Sequence, residues 1–209
     1  MINHLILGAF ETNCYILRAN EMAKECLIID TGLEAGDLLK FLKENDLTPK
    51  AVVLTHGHAD HIIGLAALRQ QYPHIKVYIH KLDAHMLTRA TSNLSLLAGK
   101  FFKTSPADTL LQDGDIVDEA DLKLDVFHTP GHTKGGVCLY LRAEDTVFTG
   151  DTLFADSVGR TDLPGGNMEM LIQGIKEKLW KLPGNTVVYP GHGPKTTIDR
   201  EKTYNQYVR

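Results

Sequence analysis

The sequence predicts an α/β fold of layered sheets covered by helices on their outer faces, and three observations carry that prediction. Short β-branched apolar runs recur along the chain, amphipathic helical patterns fall between them, and no Pro/Gly/Ser-rich linker or run of charge divides the 209 residues. A chain of that length without an internal boundary is expected to form one compact domain over residues 1–209, with a sizeable core.

Taken in order, the runs at residues 14–17, 26–29, 51–54, 76–79, 137–141, 146–148 and 186–189 are rich in Val, Ile, Leu and Tyr and read as strands. Between them, apolar residues spaced three and four apart form the stripes of amphipathic helices: Leu38, Leu39 and Leu42; Ile62, Leu65, Ala66 and Leu68; then Met168, Leu171, Ile172, Ile175 and Leu179. Residues 91–108 have mixed character and read as a helix or a lid.

With 22 basic against 26 acidic residues the formal charge is −4, which offers no basic field for nucleic acid and no polybasic membrane signal. The N-terminus lacks a basic leader and no apolar run approaches the roughly 20 residues of a membrane span, so a cytoplasmic location is the expectation. Cys14, Cys26 and Cys138, an odd set inside apolar runs, are read as reduced core residues. A small-molecule substrate is expected, with no nucleic-acid or membrane partner, for a monomer or homodimer.

Four strand-like runs end in a polar turn that carries His or Asp. Leu54-Thr55 leads into His56-Gly57-His58-Ala59-Asp60-His61, and Val126-Phe127 into His128-Thr129-Pro130-Gly131-His132. Phe148-Thr149 leads into Gly150-Asp151, and Val188-Tyr189 into Pro190-Gly191-His192-Gly193. Loops at strand ends are where a rigid scaffold can aim side chains at one point. His56, His58, Asp60 and His61 fall within six residues, a crowding of titratable groups that a metal pair resolves. Imidazole and carboxylate suit zinc, iron or manganese, and a set without Cys suits a catalytic site that keeps a position open for water. His4, His74, His80 and His85 lack such surroundings, and His128 is expected to pack or hydrogen-bond within its turn.

These ordered motifs, together with Gly131-His132-Thr133 and Gly150-Asp151-Thr152-Leu153-Phe154, resemble the metallo-β-lactamase superfamily over nearly the whole chain, and within it the small glyoxalase II-like (hydroxyacylglutathione hydrolase-like) hydrolases. The resemblance implies a four-layered αββα sandwich with the metals at one edge. It also implies that His56, His58 and His132 hold one divalent ion, that Asp60, His61 and His192 hold the other, and that Asp151 bridges both. A water between the ions, its pKa brought from about 15.7 to about 7 by zinc, becomes the hydroxide that attacks a thioester carbon, with Asp60 available to orient it. The leaving thiol, of pKa about 8.5, departs as thiolate without a dedicated acid.

Asp30 ends its strand in Asp30-Thr31-Gly32 and resembles the superfamily's strand-end Asp that braces the site; it is expected to hydrogen-bond a ligand His or its loop, the alternative being an Asx-turn. Residues 158–167 follow the bridging Asp and form the substrate-loop candidate. Gly159-Arg160 resembles the Gly-basic pair of glyoxalase II enzymes, so Arg160 is expected to grip an anionic substrate tail, with Asp162 and Asn167 as neighbouring contacts. The alternative for Arg160 and Asp162 is an ion pair that pins the loop. Where those enzymes place an aromatic residue after the basic one, this chain has Thr161 and Asp162, and residues 195–209 stand where they carry a C-terminal helical domain with further glutathione contacts. The thiol carrier is thereby left open. Gly159-Arg160-Thr161-Asp162 is also similar to a stretch in mono-iron persulfide dioxygenases of the superfamily, which with a lactonase-like hydrolase is the competing reading.

Overall fold

A computed structural model describes residues 1–96 and 99–208. The chain enters through strands β1 (Ile2–Leu7), β2 (Thr12–Leu17) and β3 (Glu25–Ile29), then helix α1 (Gly36–Glu44), strand β4 (Thr48–Val53), and helices α2 (Ala59–Ile62) and α3 (Leu65–Gln71). Strand β5 (Lys76–His80), helix α4 (Ala84–Thr88) and strand β6 (Thr109–Leu111) complete a six-stranded sheet of order β1-β2-β3-β4-β5-β6. The second half supplies β7 (Ile116–Glu119), β8 (Leu122–His128), β9 (Val137–Leu141), β10 (Thr146–Gly150), β11 (Leu153–Phe154) and β12 (Ser157–Val158). Helix α5 (Met168–Lys178), strands β13 (Val187–Pro190) and β14 (Thr196–Thr197) and helix α6 (Ile198–Tyr204) follow, and a second six-stranded sheet runs β14-β13-β10-β9-β8-β7.

Strand alternation explains the layers. In the first sheet Ile16, Ile28 and Val52 face Leu38, Leu42, Ile62, Leu65 and Leu68 of the covering helices. Their neighbours Tyr15, Leu17, Leu27, Ile29 and Val53 point the other way, against Leu124, Val126, Leu139 and Phe148 of the second sheet. The opposite face of that sheet, with Cys138, Tyr140, Val147 and Val188, is sealed by Leu171, Ile175 and Leu179 of the α5 region and by Ile198. Strands buried on both faces read as continuous apolar runs, which is why all seven runs fall on strands. The three cysteines are buried and free, and burial pushes the Cys26 thiol up to about 12 and Cys138 to about 11.

The single helix expected around residues 62–68 is two, α2 and α3. A Cβ at Gly64 would overlap the Thr31 carbonyl oxygen, and Gly64 N donates to Gly32 O, so the chain turns there around the strand-end loop of β3. The described residues of the 91–108 stretch form neither helix nor strand, while Leu97 and Ala98 within that reading lie outside the described residues. Asn93 holds the stretch down by donating to the Met86 and Phe102 carbonyls.

Topology then decides where the motifs meet. Strands β3, β4 and β5 are parallel, β10 and β13 are parallel, and β8 lies two antiparallel steps from β10, so the C-terminal ends of β8, β10 and β13 also share one edge. The two edges are sewn together: Val137 N donates to Thr55 O, Asn13 N to Gly191 O, and Tyr15 Oη to Pro190 O at 2.6 Å.

Candidate metal centre

Each motif leaves the C-terminal end of a strand at that common edge. His56, His58, Asp60 and His61 follow β4 and run into α2; His132 follows β8; Asp151 follows β10; His192 follows β13. His58 Nδ1 lies 2.9 Å from His132 Nε2, and His61 Nε2 lies 3.3 Å from His192 Nε2 and 3.5 Å from Asp60 Oδ2. Asp151 stands between the two groups, with Oδ1 3.5 Å from His61 Nε2 and Oδ2 3.4 Å from His132 Nε2. Three overlapping donor sets result: His56, His58 and His132; His56, His61 and Asp151; and Asp60, His61 and His192.

The far nitrogens explain the aim of the near ones. His61 Nδ1 donates to Asp30 Oδ2 at 2.8 Å, His132 Nδ1 to the Arg160 carbonyl at 2.8 Å, and His192 Nδ1 to the Phe10 carbonyl at 2.9 Å. Thr55 Oγ1 donates to Asp30 Oδ2, so it accepts from His56 Nδ1 at 3.1 Å. In all four rings Nδ1 is thus the donor to the surrounding protein and Nε2 faces the centre, the arrangement that metal-ligating imidazoles adopt. Asp30 sits in the left-handed region at φ 56, a conformation Asp tolerates better than most residues, and its Oδ1 also accepts from Thr55 N.

Electrostatics show what these residues could hold. His56 Nε2 and Asp151 Oδ1 are buried without any hydrogen-bond partner, and each such atom costs about 1–3 kcal/mol unless something satisfies it. Burial and then the neighbouring rings hold His56 well below the usual imidazole range, and burial followed by His132 brings His58 down to about 3, so both stay neutral donors. Burial opposes charge on His61 as well, yet Asp60, Asp30 and Asp151 outweigh it and lift that ring to about 10. A field that draws a proton onto Nε2 favours a metal cation at the same place. Burial works against ionised Asp60, and His61 and His192 overcome it and keep the carboxylate anionic. The donor chemistry therefore fits divalent metal ions.

Residues 7–192 match the family model for the metallo-β-lactamase superfamily. The chain belongs to the metallo-β-lactamase superfamily. Its αββα layering is the fold of that superfamily, and it is a metal-dependent hydrolase of that group. A probable metallo-hydrolase of Bacillus subtilis, YqgX, is 38% identical over 97% of this chain and 94% of its own length. The hydroxyacylglutathione hydrolase GloC of Haemophilus influenzae is 32% identical over 96% of this chain and 94% of its own. Among solved structures, BLEG-1, a B3 metallo-β-lactamase, superposes with a TM-score of 0.94 at 40% identity over 100% of this chain and 99% of that one. TTHA1623 in a di-iron-bound form gives 0.84 at 34% identity (98% and 99% covered), and ETHE1 from Myxococcus xanthus gives 0.79 at 31% (99% and 83% covered).

Above these His and Asp side chains lies a cleft of about 520 Å³. Its walls are mainly apolar, from Phe10, Leu94, Phe154, Val158 and Leu163, with Arg160 as the basic member. Asp162 does not line it; its carboxylate takes Arg160 Nε and Nη2 at 2.8 and 2.7 Å, and both side chains are exposed. Asn167, expected at the substrate, instead caps α5: its Oδ1 accepts from Met170 N, which commits the side chain to the helix start. Sequence reasoning missed Phe10 and the Arg160 carbonyl, because a backbone acceptor carries no side-chain signature. The helices of the described residues include none long and apolar enough to cross a membrane.

His128 lies outside the centre, bonding through Nε2 to the Lys134 carbonyl and stacking on His80 at 4.0 Å. Burial, then His128 and Lys81, lower His80 to about 4, and its Nδ1 accepts from Leu82 N only while neutral. Between about pH 6.5 and 4 the unfolded chain therefore takes up a proton that folded His80 refuses, and stability falls as pH falls through that window. Urea denaturation across it should show wild type losing on the order of 1 kcal/mol more than a His80→Gln variant. Parallel pH profiles for the two proteins would remove His80 from the acid response.

Proposed function

We propose that this chain is a dinuclear metallohydrolase cleaving thioesters of the hydroxyacylglutathione type, with His56, His58 and His132 holding one divalent ion, Asp60, His61 and His192 the other, and Asp151 shared. The observation that carries it is Asp151, whose two oxygens face the two histidine groups at 3.4 and 3.5 Å. The GloC relative and the di-iron-bound neighbour support the reading. Zinc is the favoured metal, with iron and manganese chemically admissible to the same donors.

Bound there, the ions would supply a Lewis acid for the carbonyl oxygen and a hydroxide at neutral pH. The chain's own residues do the rest. Asp60 Oδ2 lies 3.2 Å from His192 Nε2 and is only partly buried, so an incoming O–H can donate to it; a carboxylate held so strongly anionic orients that donor and is a weak store for its proton. Phe10, Leu94, Phe154 and Leu163 exclude water from the acyl group, and a thiolate leaves without an acid. Arg160, at the rim, retains an Nη1 edge free of hydrogen bonds among the described residues while Asp162 holds the other. Arg160→Ala is expected to raise KM for a glutathione thioester on the order of three- to tenfold with little change in kcat, as rim charges act on encounter. An unchanged KM would leave the guanidinium with loop pinning alone.

The test of the activity is metal content together with a thioester panel on purified protein. Two ions per chain and chelator-sensitive hydrolysis of a hydroxyacylglutathione support the reading. One iron per chain with oxygen uptake on glutathione persulfide would overturn it.

A further inference from the structure

We infer that Asp83 is a second positioning residue of the centre: it clamps the His56–His58 loop to the His132 loop and so sets the half-site formed by His56, His58 and His132. The inference rests on the two-ion reading above. Asp83 follows β5, is 1% exposed, and occupies the N-cap of α4. An Asp there ordinarily accepts from its own helix, yet this side chain makes no cap hydrogen bond. Its oxygens go elsewhere. Oδ2 accepts from Gly57 N at 3.1 Å and Thr133 Oγ1 at 2.7 Å, and Oδ1 accepts from Gly135 N at 2.7 Å.

Gly57 lies between two ligands at the edge of the first sheet, and Thr133 follows the third at the edge of the second. One carboxylate therefore spans the gap across which His58 Nδ1 and His132 Nε2 stand 2.9 Å apart. The burial of Asp83 is offset first by those three donors, with the nearby His85 adding a smaller charge interaction. Asp30 differs in reach: its carboxylate takes Thr55 in the loop after β4 and His61 in α2, both in the segment that follows that one strand, and it bonds directly to a residue of the other half-site. Asp30 thus bears directly on His61 and only through Thr55 on His56, whereas Asp83 alone of the two ties the His56–His58 loop to the His132 loop.

Stepwise zinc titration of metal-free protein, by calorimetry with a competing chelator, separates the two braces. Asp83→Asn keeps the acceptor toward Gly57 and Thr133 but turns an amide N–H2 on Gly135 N. It is expected to weaken one of the two binding events about 10- to 100-fold and to leave the other within about twofold, while Asp30→Asn, which bears directly on His61 and through Thr55 on His56, weakens the opposite event the more. Thr133→Val, which removes one of the three bonds and tests the idea should Asp83→Asn fold poorly, should weaken the same event as Asp83→Asn by a smaller factor. Hydrogen exchange of the metal-free protein should show the Gly135 amide, whose acceptor is lost, losing protection in Asp83→Asn, and the Gly57 amide, whose acceptor remains, losing less. Equal weakening of both events, or of neither, overturns the inference while leaving the two-ion reading intact. A wild-type chain that binds a single zinc refutes that reading, and with it the division of labour between the braces.

Discussion

Asp151→Ala is expected to lower kcat/KM on a hydroxyacylglutathione by on the order of 10³-fold or more and to reduce bound metal below two ions per chain. Two effects act together. The carboxylate faces His61 with one oxygen and His132 with the other, so on the proposed two-ion reading its loss removes a ligand from each half-site at once. It also removes the negative charge that, with Asp60 and Asp30, lifts His61 to about 10, which weakens the field holding a cation. Fold should survive: strand β10 ends at Gly150, and the Asp151 side chain is not part of the core between the sheets. Metal analysis and steady-state kinetics on the same preparation check it. Full metal content in the variant would show that the bridge is not needed, and the shared-ligand reading would fall.

Gly191→Ala should cost roughly 10²-fold in kcat/KM although it removes no ligand. A Cβ there would lie on Asp151 Oδ1 and within 2.9 Å of His61 Cε1. The backbone on either side is committed, since Gly191 O accepts from Asn13 N and Gly191 N donates to Gly150 O at 2.7 Å. The methyl therefore cannot be absorbed by the loop, and the bridging carboxylate must move. Stability should change less than activity, because the clash is first with a side-chain oxygen and a ring edge of the centre, then with the Gly150 backbone carbon at 3.0 Å, and not with the apolar layers between sheets and helices. A variant with wild-type kcat/KM would show that Asp151 tolerates displacement.

How much of this was legible beforehand depended on the kind of residue. The seven apolar runs mark strands because both faces of each sheet are covered, and the helix stripes are amphipathic because one side meets a sheet and the other water. Strands β1, β6, β7, β11, β12 and β14 were not legible: they are short, at edges or partly exposed, and pairing specifies them more than composition does. The metal candidates stood out because His56, His58, Asp60 and His61 crowd into six residues at a strand end. Asn167 misled, since an Asn in a Gly-rich loop reads equally as a substrate contact or as the cap of the next helix.

The sequence by itself determined the donor set, its chemistry and the strand-and-helix order, because these are properties of residue types and of spacing along the chain. Tertiary structure alone decided how the donors are divided, oriented and covered. The far nitrogens of His132 and His192 are held by the carbonyls of Arg160 and Phe10, from segments 28 and 182 residues away, and Asp83 reaches Thr133 across 50. Backbone acceptors and long-range approaches of that kind arise when two sheets stack with the C-terminal ends of their ligand-bearing strands at one edge, a relation between distant parts of the chain that no local pattern encodes.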